Sequence, residues 1–312
     1  MSPARPQFGA ETDTGGRFVR QASRFRDAVT ADGSSGFPAE PGRYHLYVSL
    51  ACPWAHRTII VRRLKGLEDV ISMSVVDPVR DERGWRFTEG RRHGPDTLNG
   101  FRFLSEAYLR SDPGFEGRVT VPVLWDRETG RVVNNESADI LRMLNTEFDA
   151  WGDASVDLYP AALRDEIDAV NDRVYRTVNN GVYRAGFATT QEAYEEAFTD
   201  LFATLDDLDV LLARRRYLAG DRITEADWRL FTTLVRFDAV YYVHFKCNLR
   251  RVVDYPSLWP FLRELYQWPG VAETVDFDHI KRHYYLTHEA LNPHRIVPLG
   301  PALDLTQPHG RG

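Results

Sequence analysis

The chain has 312 residues, 43% of them hydrophobic and 12% aromatic, which is enough for a substantial core and for one large domain or two ordinary ones. A formal net charge of −6 argues against nucleic acid as a partner, and the absence of any long unbroken apolar run argues against a membrane span. Two cysteines exclude a disulfide framework and suit a reducing cytoplasm, while Lys65, Lys246 and Lys281 are the only lysines, so arginine carries the positive charge.

Residues 1–42 are rich in Gly, Ser, Pro and charge and read as an extended arm, with one short helical piece around Phe18–Ala28. The stretch from Met1 to Gly16 has no apolar core of a secretory signal, and none is expected. Tyr44-His45-Leu46-Tyr47-Val48-Ser49 is strand-like. Ile59, Ile60, Val61 and Leu64 then recur on a helical period, and residues 70–76 read as a second strand, completing a βαβ unit. Residues 78–102 are charged and Gly-rich and read as an inserted loop. Trp85 inside it is more readily a residue packing the loop onto the body than a ligand contact.

A helix is expected near Leu104–Arg110, then a strand over Arg118–Asp126. Pro122 interrupts that strand, removes a ladder donor, and so requires a strand start, an edge or a cis turn. Arg127-Glu128-Thr129-Gly130 is a turn, residues 131–133 a short strand, and Asn135-Glu136-Ser137 opens a helix. A βαβ unit followed by a helix and a ββα tail is the thioredoxin-like topology. From Leu158 the pattern is helical. Val170, Val174, Val178 and Val182 form one stripe, and Ala197, Leu201, Leu205, Leu208 and Leu211 form another. Thr224-Glu225-Ala226-Asp227 is a capping box closed by Asp, with Ile223 and Trp228 at the staple positions. Residues 286–312 carry four prolines and read as a polar tail wrapping the surface. The expected division is an N-terminal extension over 1–42, a thioredoxin-like domain over 43–150, an all-helical domain over 158–285, and a tail.

The chemistry centres on Cys52, in Cys52-Pro53-Trp54-Ala55-His56-Arg57. A cysteine between a strand and a helix start lies where backbone N–H groups and the helix dipole favour the thiolate, the nucleophilic form. Position 55 is alanine, so no neighbouring cysteine resolves a mixed disulfide; release falls to an external thiol or to Cys247, which by default is an inert buried thiol. Val121-Pro122 places a backbone N–H and C=O beside such a sulfur in a thioredoxin-like fold. Glu136-Ser137 is sufficiently explained as a helix cap, yet the same groups can hold the ammonium and carboxylate of a γ-glutamyl group. Arg118 alone reads as a solvated charge, and Tyr183 and Tyr284 stand out from the other tyrosines by nothing local. The histidines are not read as a metal set, no Cys-x-x-Cys pair occurs, and no metal is expected.

These residues together resemble the glutathione-transferase superfamily, and within it the Xi class, the glutathionyl-hydroquinone reductases. The resemblance is carried by Gly15-Gly16-Arg17-Phe18-Val19-Arg20-Gln21, by the Cys52 segment, by Val121-Pro122-Val123-Leu124-Trp125-Asp126 and by Asn135-Glu136-Ser137. It continues through Asn179-Asn180-Gly181-Val182-Tyr183-Arg184 and His244-Phe245-Lys246-Cys247. It implies a thioredoxin-like domain binding glutathione and a helical domain covering an aromatic thioether. Cys52 matches the nucleophile, and Trp85, Arg118, the Val121 backbone, Glu136 and Ser137 match the glutathione contacts. Tyr183 and Tyr284 match the tyrosines facing the hydroquinone ring. The expected assembly is a cytoplasmic homodimer using glutathione, or another small thiol, as co-substrate. Two rivals remain open: a glutaredoxin-like deglutathionylase or dehydroascorbate reductase, and a non-catalytic ligand-binding protein of the same fold.

Overall fold

The computed structural model describes residues 11–311. The described chain forms two compact units: one from Gln21–Asp157 with Asp278–His283, the other from residues 11–20, Leu158–Phe277 and residues 284–311. The first ten residues of the expected arm lie outside the described part.

The first unit is built on a four-stranded sheet of order β2-β1-β3-β4. β1 (Tyr44–Val48) runs parallel to β2 (Ser72–Val75) through the crossover helix α1 (Pro53–Leu64). It pairs antiparallel with β3 (Val123–Asp126), which pairs antiparallel with β4 (Arg131–Asn134) across a bulge at Leu124/Trp125. Every residue of β1 and β3 is buried, as expected for strands covered on both faces. α2 (Ser105–Ser111) packs on β4, and α3 (Ser137–Thr146) packs on α1. This is the thioredoxin-like arrangement that the βαβ and ββα segments predict. The strand expected from Arg118 begins only at Val123. Pro122 has no N–H for the ladder, and its peptide bond with Val121 is cis.

The helical piece expected around Phe18–Ala28 is absent. That segment spends its backbone groups on other partners. Asp27 N–H donates to Val133 O at 3.1 Å and Asn135 N–H to Phe25 O at 3.1 Å, with an antiparallel bridge between Arg26 and Asn134. The arm therefore covers the open edge of β4. The loop over 78–102 is equally ordered. The Asp96 carboxylate accepts the N–H groups of Leu98, Asn99 and Phe101, each at 3.1 Å, and the Tyr47 hydroxyl at 3.2 Å.

The second unit is helical: α4 (Arg164–Val174), α5 (Gly181–Gly186), α6 (Gln191–Leu212), α7 (Glu225–Arg236), a short α8 (Tyr242–His244), α9 (Leu258–Tyr266) and the end of α10 (Phe277–Thr287). Val174, Val178 and Val182 are buried, as are Leu201, Leu205 and Leu208 of the second stripe. Two π-helical turns interrupt the regular winding. Tyr175–Asn179 leads into α5, and Phe237–Tyr241 joins α7 to α8. At α7 the capping box forms. Thr224 N–H and its hydroxyl donate to Asp227 Oδ2 at 2.8 and 3.1 Å. The tail is held by Gln267, whose amide donates to Leu305 O and Gln307 O, and by the Arg311–Glu264 ion pair. Among the described residues, no helix is long and apolar enough to cross a membrane.

Candidate active site

Cys52 is the N-cap of α1, with Pro53 in the first helical turn. Its backbone is committed: the N–H donates to Ser49 O at 3.2 Å, and the carbonyl accepts His56 N–H at 3.0 Å. Cys52 is 9% exposed, and its sulfur lies 3.5 Å from Val121 O. The strand-to-helix junction and the cis Val121-Pro122 turn thus meet at one sulfur, the juxtaposition the sequence leads one to expect.

The start of α3 lies against the same helix. Glu136 is its N-cap and accepts Ala138 N–H at 3.2 Å through Oε1, while Oε2 accepts the Ser23 hydroxyl at 2.9 Å. Ser137 Oγ accepts from the buried Arg57 guanidinium at 3.4 Å. That guanidinium stacks over Trp54 at 4.5 Å, so α1 supplies a cation beneath the α3 N-terminus. A buried polar network fixes the spacing of the two segments. Tyr108 Oη donates to Thr120 O at 2.8 Å, and Asn135 Nδ2 donates to Tyr108 Oη at 3.1 Å and to Thr120 Oγ1 at 3.2 Å. Thr120 precedes Val121 and Asn135 precedes Glu136, so the network holds the segments leading into Val121 and Glu136 against each other.

Cys52 and Val121 thus meet at the N-terminus of α1, while Glu136 and Ser137 open α3, which packs on α1. Arg118 stands three residues before Val121, its backbone N–H donating to Gln21 Oε1 at 3.1 Å. Trp85 sits on the 78–102 loop, buried as the packing reading has it. Arg80 lies 4.8 Å from its ring, and His283 stacks on it at 4.9 Å. His279 and His283 stand four residues apart on α10, a spacing compatible with metal that the sequence reading passed over. Their rings instead bond to Arg91 O at 2.6 Å and Pro78 O at 2.7 Å, which clasps the loop. Among the described residues no three His, Cys, Asp or Glu gather as a metal site.

In the second unit, Tyr183 and Tyr284 meet: their hydroxyls are 2.6 Å apart. A third tyrosine joins them, Tyr241, with its hydroxyl 3.0 Å from that of Tyr284. Burial pushes the Tyr241 and Tyr284 phenols well above the ordinary tyrosine value, so both keep their protons. Phe245 packs against all three rings, and the Arg20 guanidinium lies 4.8 Å from the Tyr183 ring. A cluster of buried phenols is suited to donate toward an oxygen that gains negative charge. Nothing in the sequence signals Tyr241 or Tyr108, and it assigns no role to Arg57 or Asn135, although these two stand inside the Cys52 segment and Asn135-Glu136-Ser137. Cys247 is wholly buried, and burial pushes its thiol up, as expected of an inert residue.

Known proteins place this arrangement. The glutathione S-transferase N-terminal domain family matches residues 51–147 and the glutathione S-transferase C-terminal domain family residues 191–264. The chain is similar to the glutathionyl-hydroquinone reductase YqjG of Escherichia coli strain K12, with 56% identity over 305 residues covering 96% of this chain and 93% of the relative. Among solved structures it resembles a Xi class GST from Natrialba magadii, with TM-score 0.91 and 56% identity over 94% of this chain and 90% of the other. The glutathione-bound structure of the Escherichia coli K-12 protein YqjG also matches at TM-score 0.91, with 55% identity over 92% of this chain and 96% of that one. The chain belongs to the glutathione S-transferase family, in its Xi class, alongside the glutathionyl-hydroquinone reductases.

Proposed function

We propose that this protein is a glutathionyl-hydroquinone reductase: it converts a glutathionyl-hydroquinone and glutathione to the free hydroquinone and glutathione disulfide. The observation that best supports the reading is the Cys52 sulfur at a helix N-cap, 3.5 Å from Val121 O and with no cysteine at position 55. The residues nearby suit glutathione chemically. The Glu136 carboxylate would take the γ-glutamyl ammonium, and Ser137 with the α3 amides its carboxylate. The Val121 main chain would pair with the cysteinyl peptide, Arg118 would take the remaining carboxylate, and Trp85 would border the tripeptide.

In the reaction, the Cys52 thiolate attacks the sulfur of the aryl thioether. A sulfur–sulfur bond forms and the carbon–sulfur bond breaks. The electron pair leaves into the ring, which accepts it once the ring has tautomerised to its keto form with a proton on the sulfur-bearing carbon. Negative charge then appears on the former keto oxygen, where the Tyr183–Tyr284 pair donates, Tyr183 to the oxygen and Tyr284 to Tyr183 Oη 2.6 Å away; a donor in such a role is worth about 3 kcal/mol. A second glutathione thiolate attacks the mixed disulfide, releases glutathione disulfide and restores Cys52. The thiol is oxidised and the ring carbon reduced by two electrons. In this reading the thiol chemistry belongs to the domain over 43–150 and the phenols to that over 158–285. We also infer a homodimer, as the family relationship suggests, in the cytoplasm, where two unpaired cysteines are at home.

A deglutathionylase of the same fold would need Cys52 but not the tyrosines. Tyr284→Phe separates the two. It should lower kcat on an aryl thioether by about 10²-fold while reducing a simple glutathione mixed disulfide at an unchanged rate. Equal loss on both substrates, or on neither, would contradict the phenol role. A wild type that turned over only the disulfide would favour the rival.

A further inference from the structure

Tyr241 ends the π turn Phe237–Tyr241 and is wholly buried, at 0% exposure. Its hydroxyl lies 3.0 Å from Tyr284 Oη, which lies 2.6 Å from Tyr183 Oη. Exposure falls along this row, from 9% at Tyr183 to 1% at Tyr284 and 0% at Tyr241. Each phenol owns one proton. Tyr284 can therefore donate to only one neighbour, and the other must donate to Tyr284. If the proton of Tyr284 points inward to Tyr241, Tyr183 loses its donor. If Tyr241 donates outward, every proton in the row points toward the exposed end.

The winding supports a deliberate placement. A π turn adds a residue to the helical repeat and rotates the next turn of helix, and such turns recur at functional sites. One π turn ends at Tyr241, where Tyr242 N–H reaches back to Phe237 O. The other precedes α5, where Asn180 N–H donates to Tyr175 O at 2.8 Å. Tyr183 comes three residues later. Both interruptions thus adjoin a member of the row. Burial and the neighbouring phenols hold Tyr241 and Tyr284 protonated against the weaker pull of the wholly buried Arg236, so each keeps the proton it would donate.

We propose that Tyr241 is a positioning residue for the reductase reaction: it donates to Tyr284 Oη, which frees the Tyr284 proton for Tyr183 and the Tyr183 proton for the substrate oxygen. The inference rests on the functional reading above and adds to it the direction of the hydrogen-bonded row.

The test compares wild type, Tyr241→Phe, Tyr284→Phe and the double variant on one glutathionyl-hydroquinone, with kcat and the KM for glutathione measured separately. Tyr241→Phe is expected to lower kcat about five- to tenfold, the scale of one cooperative hydrogen bond, with KM for glutathione unchanged. In the Tyr284→Phe background the same change should have no further effect, because the partner through which Tyr241 acts is gone. A merely structural role would lower kcat equally in both backgrounds, and that result would overturn the proposal, as would full activity in Tyr241→Phe. Incorporating 3,5-difluorotyrosine at position 241, a stronger donor of nearly the same shape, should keep or raise kcat; a fall to the level of Tyr241→Phe would overturn the donor direction even if the Phe variant proved unstable. A wild type without turnover of the thioether would overturn the functional reading and this inference with it, whereas an active wild type with an equally active Tyr241→Phe would overturn this inference alone.

Discussion

At Cys52 the main chain and the side chain have separate tasks. Bonds to Ser49 O and from His56 N–H fix the backbone, and the sulfur is presented at the helix end beside Val121 O. Glu136 shows the same economy: one carboxylate oxygen caps α3 and the other holds the Ser23 hydroxyl. Glu136→Gln keeps an acceptor for the cap and removes the charge. It is expected to raise the KM for glutathione about tenfold, the scale of one hydrogen bond to a charged group, while the melting temperature moves little. An unchanged KM in initial-rate kinetics would remove Glu136 from the glutathione contacts. Cys52, Glu136 and Ser137 were legible because each sits at a boundary that the sequence marks with Pro53 or a polar cap. Tyr241 was not. Its partner Tyr284 is 43 residues away, and the π turn shifts it off the 3.6-residue period by which a face is read from sequence.

Among the elements, α7 shows how a local signal becomes a buried one. Asp227 receives Thr224 N–H, the Thr224 hydroxyl and, at 2.9 Å, Leu218 N–H. Burial nevertheless pushes its carboxyl from the ordinary 3.8 up to about 6, against the pull of those donors. The folded state therefore binds the Asp227 proton more tightly than the unfolded state. Its contribution is fully present below the unfolded value of 3.8 and is lost as pH rises through about 6. Asp227→Asn has no such titration. Between about pH 4 and pH 7 the wild type should lose up to roughly 3 kcal/mol relative to Asp227→Asn in denaturant melts, and a constant difference would contradict the assignment. The capping box, the βαβ unit and the helical stripes were legible because their periods and caps are local. The expected helix at Phe18–Ala28 failed because the open edge of β4, far along the chain, claimed the same backbone groups. Pro122 marks a disturbance in the sequence, while its effect, a strand delayed to Val123, depends on the turn it makes beside Cys52.

Across the whole molecule, a thiol site lies in one compact unit and a row of phenols in the other, on a chain similar over nearly its full length to glutathionyl-hydroquinone reductases. In the proposed reaction Cys52 takes the glutathionyl group from an aryl thioether and an external thiol removes it. A non-catalytic protein of this fold would do neither, and a disulfide-specific enzyme would not attack the thioether. Intact-mass spectrometry reads the first half-reaction directly. Wild-type protein, fully reduced and freed of small thiols, is mixed with a glutathionyl-hydroquinone and quenched in acid. The expected result is a mass gain of one glutathionyl group on Cys52 with one hydroquinone released per chain, loss of the adduct when glutathione is added, and no adduct on Cys52→Ser. Hydroquinone release without an adduct on Cys52, or at full rate from Cys52→Ser, would contradict the account.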